Sequence, residues 1–116
     1  MNAIEWRFVD FDGFEWDVGN FQKVQKHGIS LLEFDRFFEQ KVLVIPDSLH
    51  STKETRYVAI GGSISGRLLF VVFTFRRKGI ETNIRVISAR YIHRYGKELK
   101  FYEKFKKEIE KKSDGR

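Results

Sequence analysis

A chain of 116 residues, 41% hydrophobic and 16% aromatic, is long enough for one packed domain and has no composition break that asks for a second. Zero cysteines exclude disulfides, thiolate nucleophiles and sulfur-ligated metals, and no apolar run has membrane or leader character, so the chain reads as cytoplasmic. With 22 Lys+Arg against 16 Asp+Glu the formal charge is +6, which favours a polyanionic partner such as nucleic acid or an acidic protein.

Ile4, Trp6 and Phe8 alternate with charged residues, and Asp12-Gly13 is a turn dipeptide ahead of Phe14 to Asp17. This predicts either a small N-terminal hairpin or an aromatic arm before a single strand. Asp17 can cap a helix running through Phe21 and Val24 to His27, with Gly28 as its left-handed stop. Ser30 and Glu33 have capping-box spacing and open a second helix, whose buried stripe is Leu31, Phe34, Phe37 and Phe38. Val42 to Ile45 reads as a short extended segment ended by Pro46, and Pro46 to Thr55 as a polar surface loop. Arg56 to Gly61 is the next strand. Arg67 to Phe75, apolar at odd and even positions alike, is the expected central strand, covered on both faces. A turn at Arg76 to Gly79 leads into Asn83 to Arg90. Alternation there puts Arg85 with Ile87 and Ala89, and Arg90 with Val86 and Ser88 on the other face, unless the strand ends or bends near Arg90. Lys97 to Lys112 is a helix with Leu99, Tyr102, Phe105 and Ile109 on one stripe, and residues 113–116 form a frayed tail. The fold class is α+β: an antiparallel sheet meander with two N-terminal helices after a first strand, and a C-terminal helix. It forms a single domain over 1–112, with 1–13 as an N-terminal extension.

The chain lacks a phosphate-binding glycine loop and a two-metal set of carboxylates, and its three histidines are scattered, so neither a metal nor a cofactor is expected. What remains is cationic and phenolic: Lys26, His27, Tyr57, Arg67, Arg76, Arg77, Arg85, Arg90, Tyr91 and His93. Guanidinium forks can hold the charge gained by a phosphoryl transition state, and the ribose 2′-hydroxyl can serve as nucleophile. Such groups suit RNA binding and cleavage without metal. Counted outward from the Arg76 to Asn83 connection, Arg67 falls nearer to Arg90 than to Arg85, which makes Arg67 with Arg90 the expected phosphate clamp. Arg85 then serves further along the groove or forms a salt bridge. Lys26 and His27 sit at a helix end, where positive charge is a cap in its own right.

Phe14-Glu15-Trp16-Asp17, Lys26-His27-Gly28-Ile29-Ser30, Arg56-Tyr57-Val58-Ala59-Ile60-Gly61, Gly66-Arg67-Leu68-Leu69 and Arg85-Val86-Ile87-Ser88-Ala89-Arg90, in that order, resemble the BrnT family of bacterial toxins. The likeness covers about Phe14 to Tyr102. It implies a RelE-like fold, a ribonuclease activity that inhibits translation, a cognate antitoxin of the BrnA kind, and promoter DNA bound only through the antitoxin complex. The family motif adds Lys26 and His27 to Arg67 and Arg90 as expected catalytic residues, while Arg85, Tyr57, Arg76 and Arg77, from the cationic and phenolic set, are expected to bind RNA. The competing classes are a non-catalytic basic binding module and a degenerate toxin, both acting through antitoxin and promoter. The chain departs from the family pattern in two places. The residues through Gly13 precede the family's usual start, and Tyr91 to Gly96 intervenes between Arg90 and Glu98.

Overall fold

The computed structural model describes residues 4–114. Strongly apolar, β-branched sequence produces a four-stranded antiparallel meander: β3 (Val42–Pro46), β4 (Arg56–Gly62), β5 (Leu68–Lys78) and β6 (Glu81–Tyr91). The N-terminal segment supplies both outer strands. β1 (Glu5–Arg7) pairs antiparallel with β3, and β2 (Gly13–Phe14) pairs parallel with β6, giving the order β1-β3-β4-β5-β6-β2. Neither the N-terminal hairpin nor a loose arm is therefore formed. The Asp12-Gly13 turn is tied across the sheet instead, where Asp12 N–H donates to the Thr82 carbonyl at 2.8 Å and its carboxylate accepts from Thr82 N–H at 2.7 Å.

Helix α1 (Val18–Gln25) begins at Asp17, whose carboxylate accepts from Asn20 N–H at 2.8 Å, and the chain leaves it through Gly28 at φ 73°. Helix α2 (Leu31–Phe38) begins at Ser30, whose hydroxyl accepts from Glu33 N–H. Only half of the expected capping box forms. The Glu33 carboxylate accepts from the Tyr91 hydroxyl at 2.8 Å rather than turning back to the cap. Leu31, expected in the buried stripe, is 40% exposed, while Phe34, Phe37 and Phe38 are buried.

These helices cover one face of the sheet, where Val24, Ile29 and the three phenylalanines pack on Val42, Ala59, Leu69, Val71, Phe73, Ile84 and Val86. The approach is closest at Gly61, where a Cβ would stand 2.8 Å from Val42 Cγ1 and 3.2 Å from Phe37 Cε1. Helix α3 (Lys97–Asp114) covers part of the other face through Leu99, Tyr102, Phe105 and Ile109, which pack on Leu43, Val58 and Ile60. It extends past the expected limit at Lys112, and residues 115 and 116 of the expected frayed tail lie outside the described residues. β5 is central and covered as expected, but it runs on through Lys78, so the hairpin turn falls at Gly79-Ile80 rather than over Arg76 to Gly79.

Between Val72 and Phe73 the β5–β6 register shifts: Val72 faces Ser88 but Phe73 faces Val86, which leaves Ile87 as a bulged residue. The extra residue resets the alternation. Arg85, opposite Thr74, and Arg90, opposite Phe70, thereby share the α3 face, the exception that a bend in the strand allows to plain alternation.

Candidate functional site

Arg56 on β4, Arg76 on β5 and Arg85 on β6 line a cavity of about 320 Å³ on the α3 face, together with Glu54, Ile87 and the Gly19, Asn20 and Lys23 side of α1. The strands place the cations and α1 closes the wall, because Asn20 is buried and its Nδ2 donates to the Val86 carbonyl. Glu54 sits between two guanidinium groups, 3.1 Å from Arg76 and 3.9 Å from Arg56. Arg85 reaches Asp17 at 2.8 Å and Glu15 at 3.2 Å. Asp17 is held below the usual carboxylate range, first by the Asn20 backbone N–H and then by Arg85.

The Nε atoms of Arg56 and Arg76 and the Oδ1 of Asn20 are buried, with no partner among the described residues. Leaving such groups unsatisfied costs on the order of 1–3 kcal/mol each. Three such atoms lie around one cavity, open to a partner that the chain itself does not supply. Guanidinium groups, one bridging carboxylate and one lysine can bind an oxyanion and exchange a proton beside it.

The expected clamp does not form. Arg90 lies on the α3 face, its guanidinium 4.5 Å above the Phe70 ring and forked onto both carboxylate oxygens of Glu98. Hydrogen bonding to Glu98 holds its proton more tightly than usual. Arg67 stands at the end of the sheet with its guanidinium 4.2 Å over Tyr91, a residue packed against the core under α1 and α2. Two residues near in register are thus separated by the thickness of the sheet.

Tyr57, expected to bind RNA, belongs to the opposite face as well, stacked on Phe73 and edge-on to Phe75. Arg77 is exposed on β5 and alternates away from Arg76. Lys26 and His27 are exposed in the turn after α1 and do not line the groove, whose α1 side is made by Gly19, Asn20 and Lys23. Of the expected site residues, the structure brings together Arg76 and Arg85. Sequence reasoning missed Arg56, Glu54, Lys23 and Asn20. An arginine opening a strand, two residues after a loop carboxylate, was the available signal for the first two.

Among the described residues no group of three or more histidine and carboxylate side chains is placed to hold a metal ion, and no helix is long and apolar enough to cross a membrane. No curated protein matches the chain. A family described as the ribonuclease toxin, BrnT, of type II toxin-antitoxin systems matches residues 16–95, a span that contains α1, α2, every strand of the meander and all residues of the arginine groove. The chain therefore belongs to the BrnT family of ribonuclease toxins.

Proposed function

We propose that the protein is a metal-independent endoribonuclease that inhibits translation in the cytoplasm, and that its reaction takes place in the groove of Arg56, Arg76 and Arg85. The observation that supports it is the convergence of these arginines from adjacent strands around Glu54, with buried hydrogen-bonding atoms left over. Glu54 accepts the proton of a ribose 2′-hydroxyl, whose oxygen attacks the neighbouring phosphorus. Arg76 and Arg85 hold the non-bridging oxygens as they gain charge, and Arg56 holds the Glu54 carboxylate in place beside them. The bond to the 5′-oxygen breaks, leaving a 2′,3′-cyclic phosphate. Lys23, on the α1 wall, donates a proton to the departing oxygen. RelE-like toxins offer the analogy for such metal-free electrostatics, and the sheet with helices on both faces accords with it.

A cognate antitoxin of the BrnA kind neutralises the protein, and promoter DNA is engaged only through that complex. Double pairing of Arg85 with Glu15 and Asp17 favours one alternative, a basic binding module whose cations are structural.

RNA digestion in EDTA separates the two. Wild type is expected to cleave, Arg76→Ala and Arg85→Ala to lose about a hundredfold in rate, and folded His27→Ala to keep the wild-type rate. Loss of cleavage in His27→Ala with retention in Arg85→Ala would move the site to the end of α1.

A further inference from the structure

Most arginines of the described residues are neutralised inside the molecule: Arg7, Arg36, Arg56, Arg76, Arg85 and Arg90 each pair with a carboxylate. Arg67 and Arg94 do not, and they line the same cavity, of about 390 Å³, with His93, Leu68, Ile92 and Leu99. Arg77 is also without such a partner, but it lines none of the cavities described above. The Arg67 guanidinium is fixed over the Tyr91 ring, and the Tyr91 hydroxyl is anchored on Glu33, so one cation is held in place by stacking and not by a counter-charge. His93 Nδ1 accepts from the Tyr95 N–H at 3.4 Å, which leaves Nε2 for another partner. The floor is aliphatic and the rim is cationic, the arrangement that takes a nucleotide by its base and its phosphate.

We infer that this cavity is a second phosphate subsite, which binds the substrate RNA strand at a distance from the cleaved bond; the inference rests on the ribonuclease reading above. Leu68, Ile92 and Leu99 open the cavity to the α3 face, the face of the arginine groove, with Arg90 between the two sites, and Arg67 meets it around the end of β5 from its stack on Tyr91 on the opposite face. From Thr74, opposite Arg85, to Leu68 is about 20 Å along β5. One strand laid along β5 and β6 reaches both. A concave pocket with an aliphatic floor favours a nucleotide over the flat acidic surface of a protein partner.

The test uses a 2′-O-methyl oligoribonucleotide, which lacks the nucleophile and stays intact, so its binding is read whether or not the protein cleaves RNA. Arg94→Ala, a variant of an exposed and unpaired side chain, is expected to bind an oligonucleotide spanning both sites about five- to tenfold more weakly, with the salt slope reduced by about one. His93→Ala is expected to weaken it less. A 2′-O-methyl dinucleotide, too short to span the sites, is expected to bind wild type more weakly than the long oligonucleotide. Equal binding of the long oligonucleotide by both proteins, within twofold, overturns the subsite. So does an Arg94-dependent affinity for free 5′-AMP that exceeds the affinity for the oligonucleotide, which would mark a free-nucleotide site. Weakened capture of the purified antitoxin with RNA binding unchanged overturns it in favour of a protein contact. Failure of the ribonuclease reading shows separately, as intact 2′-hydroxyl RNA in the presence of wild type.

Discussion

Gly61 shows how one atom sets the distance between α2 and the sheet. Its place facing Phe37 leaves no room for a methyl group, since a Cβ would meet Val42 Cγ1 at 2.8 Å in a part of the core where both neighbours are fully buried. Gly61→Ala is expected to destabilise the protein by about 1–3 kcal/mol through overpacking, read as a lower urea midpoint with an unchanged m-value. Asp17 offers a residue-scale test with a defined sign. Its carboxyl is depressed by the Asn20 N–H first and Arg85 second, so its stabilising contribution is present above the unfolded value of 3.8 and is lost as pH falls through the lower folded value. Arg85→Ala is expected to raise the Asp17 midpoint only part of the way back, because the helix-cap hydrogen bond remains. Carbon-detected NMR titration of the carboxyl reads this directly. A full return to the ordinary value would mean that the arginine, and not the cap, dominates.

At the scale of the element, local chemistry was legible and non-local pairing was not. Asp17, Gly28 and Ser30 mark helix ends because a cap or a left-handed stop needs only its own neighbours. The bulge at Ile87 is set by how β6 fits β5 against two packed faces, which Arg85-Val86-Ile87-Ser88-Ala89-Arg90 does not announce. Plain alternation without it places Arg85 and Arg90 on different faces, while the register count that pairs Arg67 with Arg90 takes no account of faces. The first turn of α3 carries the next prediction. Glu98 ties that turn to Arg90 on β6, and the pair is partly exposed, with side-chain accessibilities of 43% and 35%, so screening keeps its worth to about 0.5–1 kcal/mol. Glu98→Ala is expected to speed amide exchange in the residues around Leu99 and to free one guanidinium on the α3 face. The salt slope for oligonucleotide binding should then steepen by about one. An unchanged slope would mean that Arg90 stays sequestered by the Phe70 ring.

At the scale of the whole molecule, burial ties stability to high pH. The Tyr91 hydroxyl is raised above its usual value, first by burial and then by its bond to Glu33, and Tyr102 is raised by burial and then by Glu110. Each favours the folded state fully below the unfolded value near 10. That stabilisation is lost as pH rises through the folded values, because the unfolded chain gives up its protons first. Thermal midpoints are therefore expected to decline above about pH 10, and Tyr91→Phe should flatten that decline.

The N-terminal strands belong to the same scale, since they lie before the matched span at residue 16 yet finish the sheet at both edges. Val9 is buried, and Phe11 packs edge-on to Phe14 and Phe38, with ring centroids 5.3 and 5.9 Å apart. Deleting residues 1–12 removes these contacts, and each buried apolar side chain is worth about 1.5–3 kcal/mol against a typical total of about 5–15 kcal/mol. The same deletion bares the β3 edge and cuts the Asp12 tie to Thr82. A strand edge without a cover pairs with another chain. The truncated protein is expected to lose most of its cooperative unfolding transition and to elute as multimers in size-exclusion chromatography with light scattering. A truncated protein that stays monomeric with the wild-type melting temperature would show that the β3–β6 meander and its helices stand alone, and that the first strands serve a partner instead.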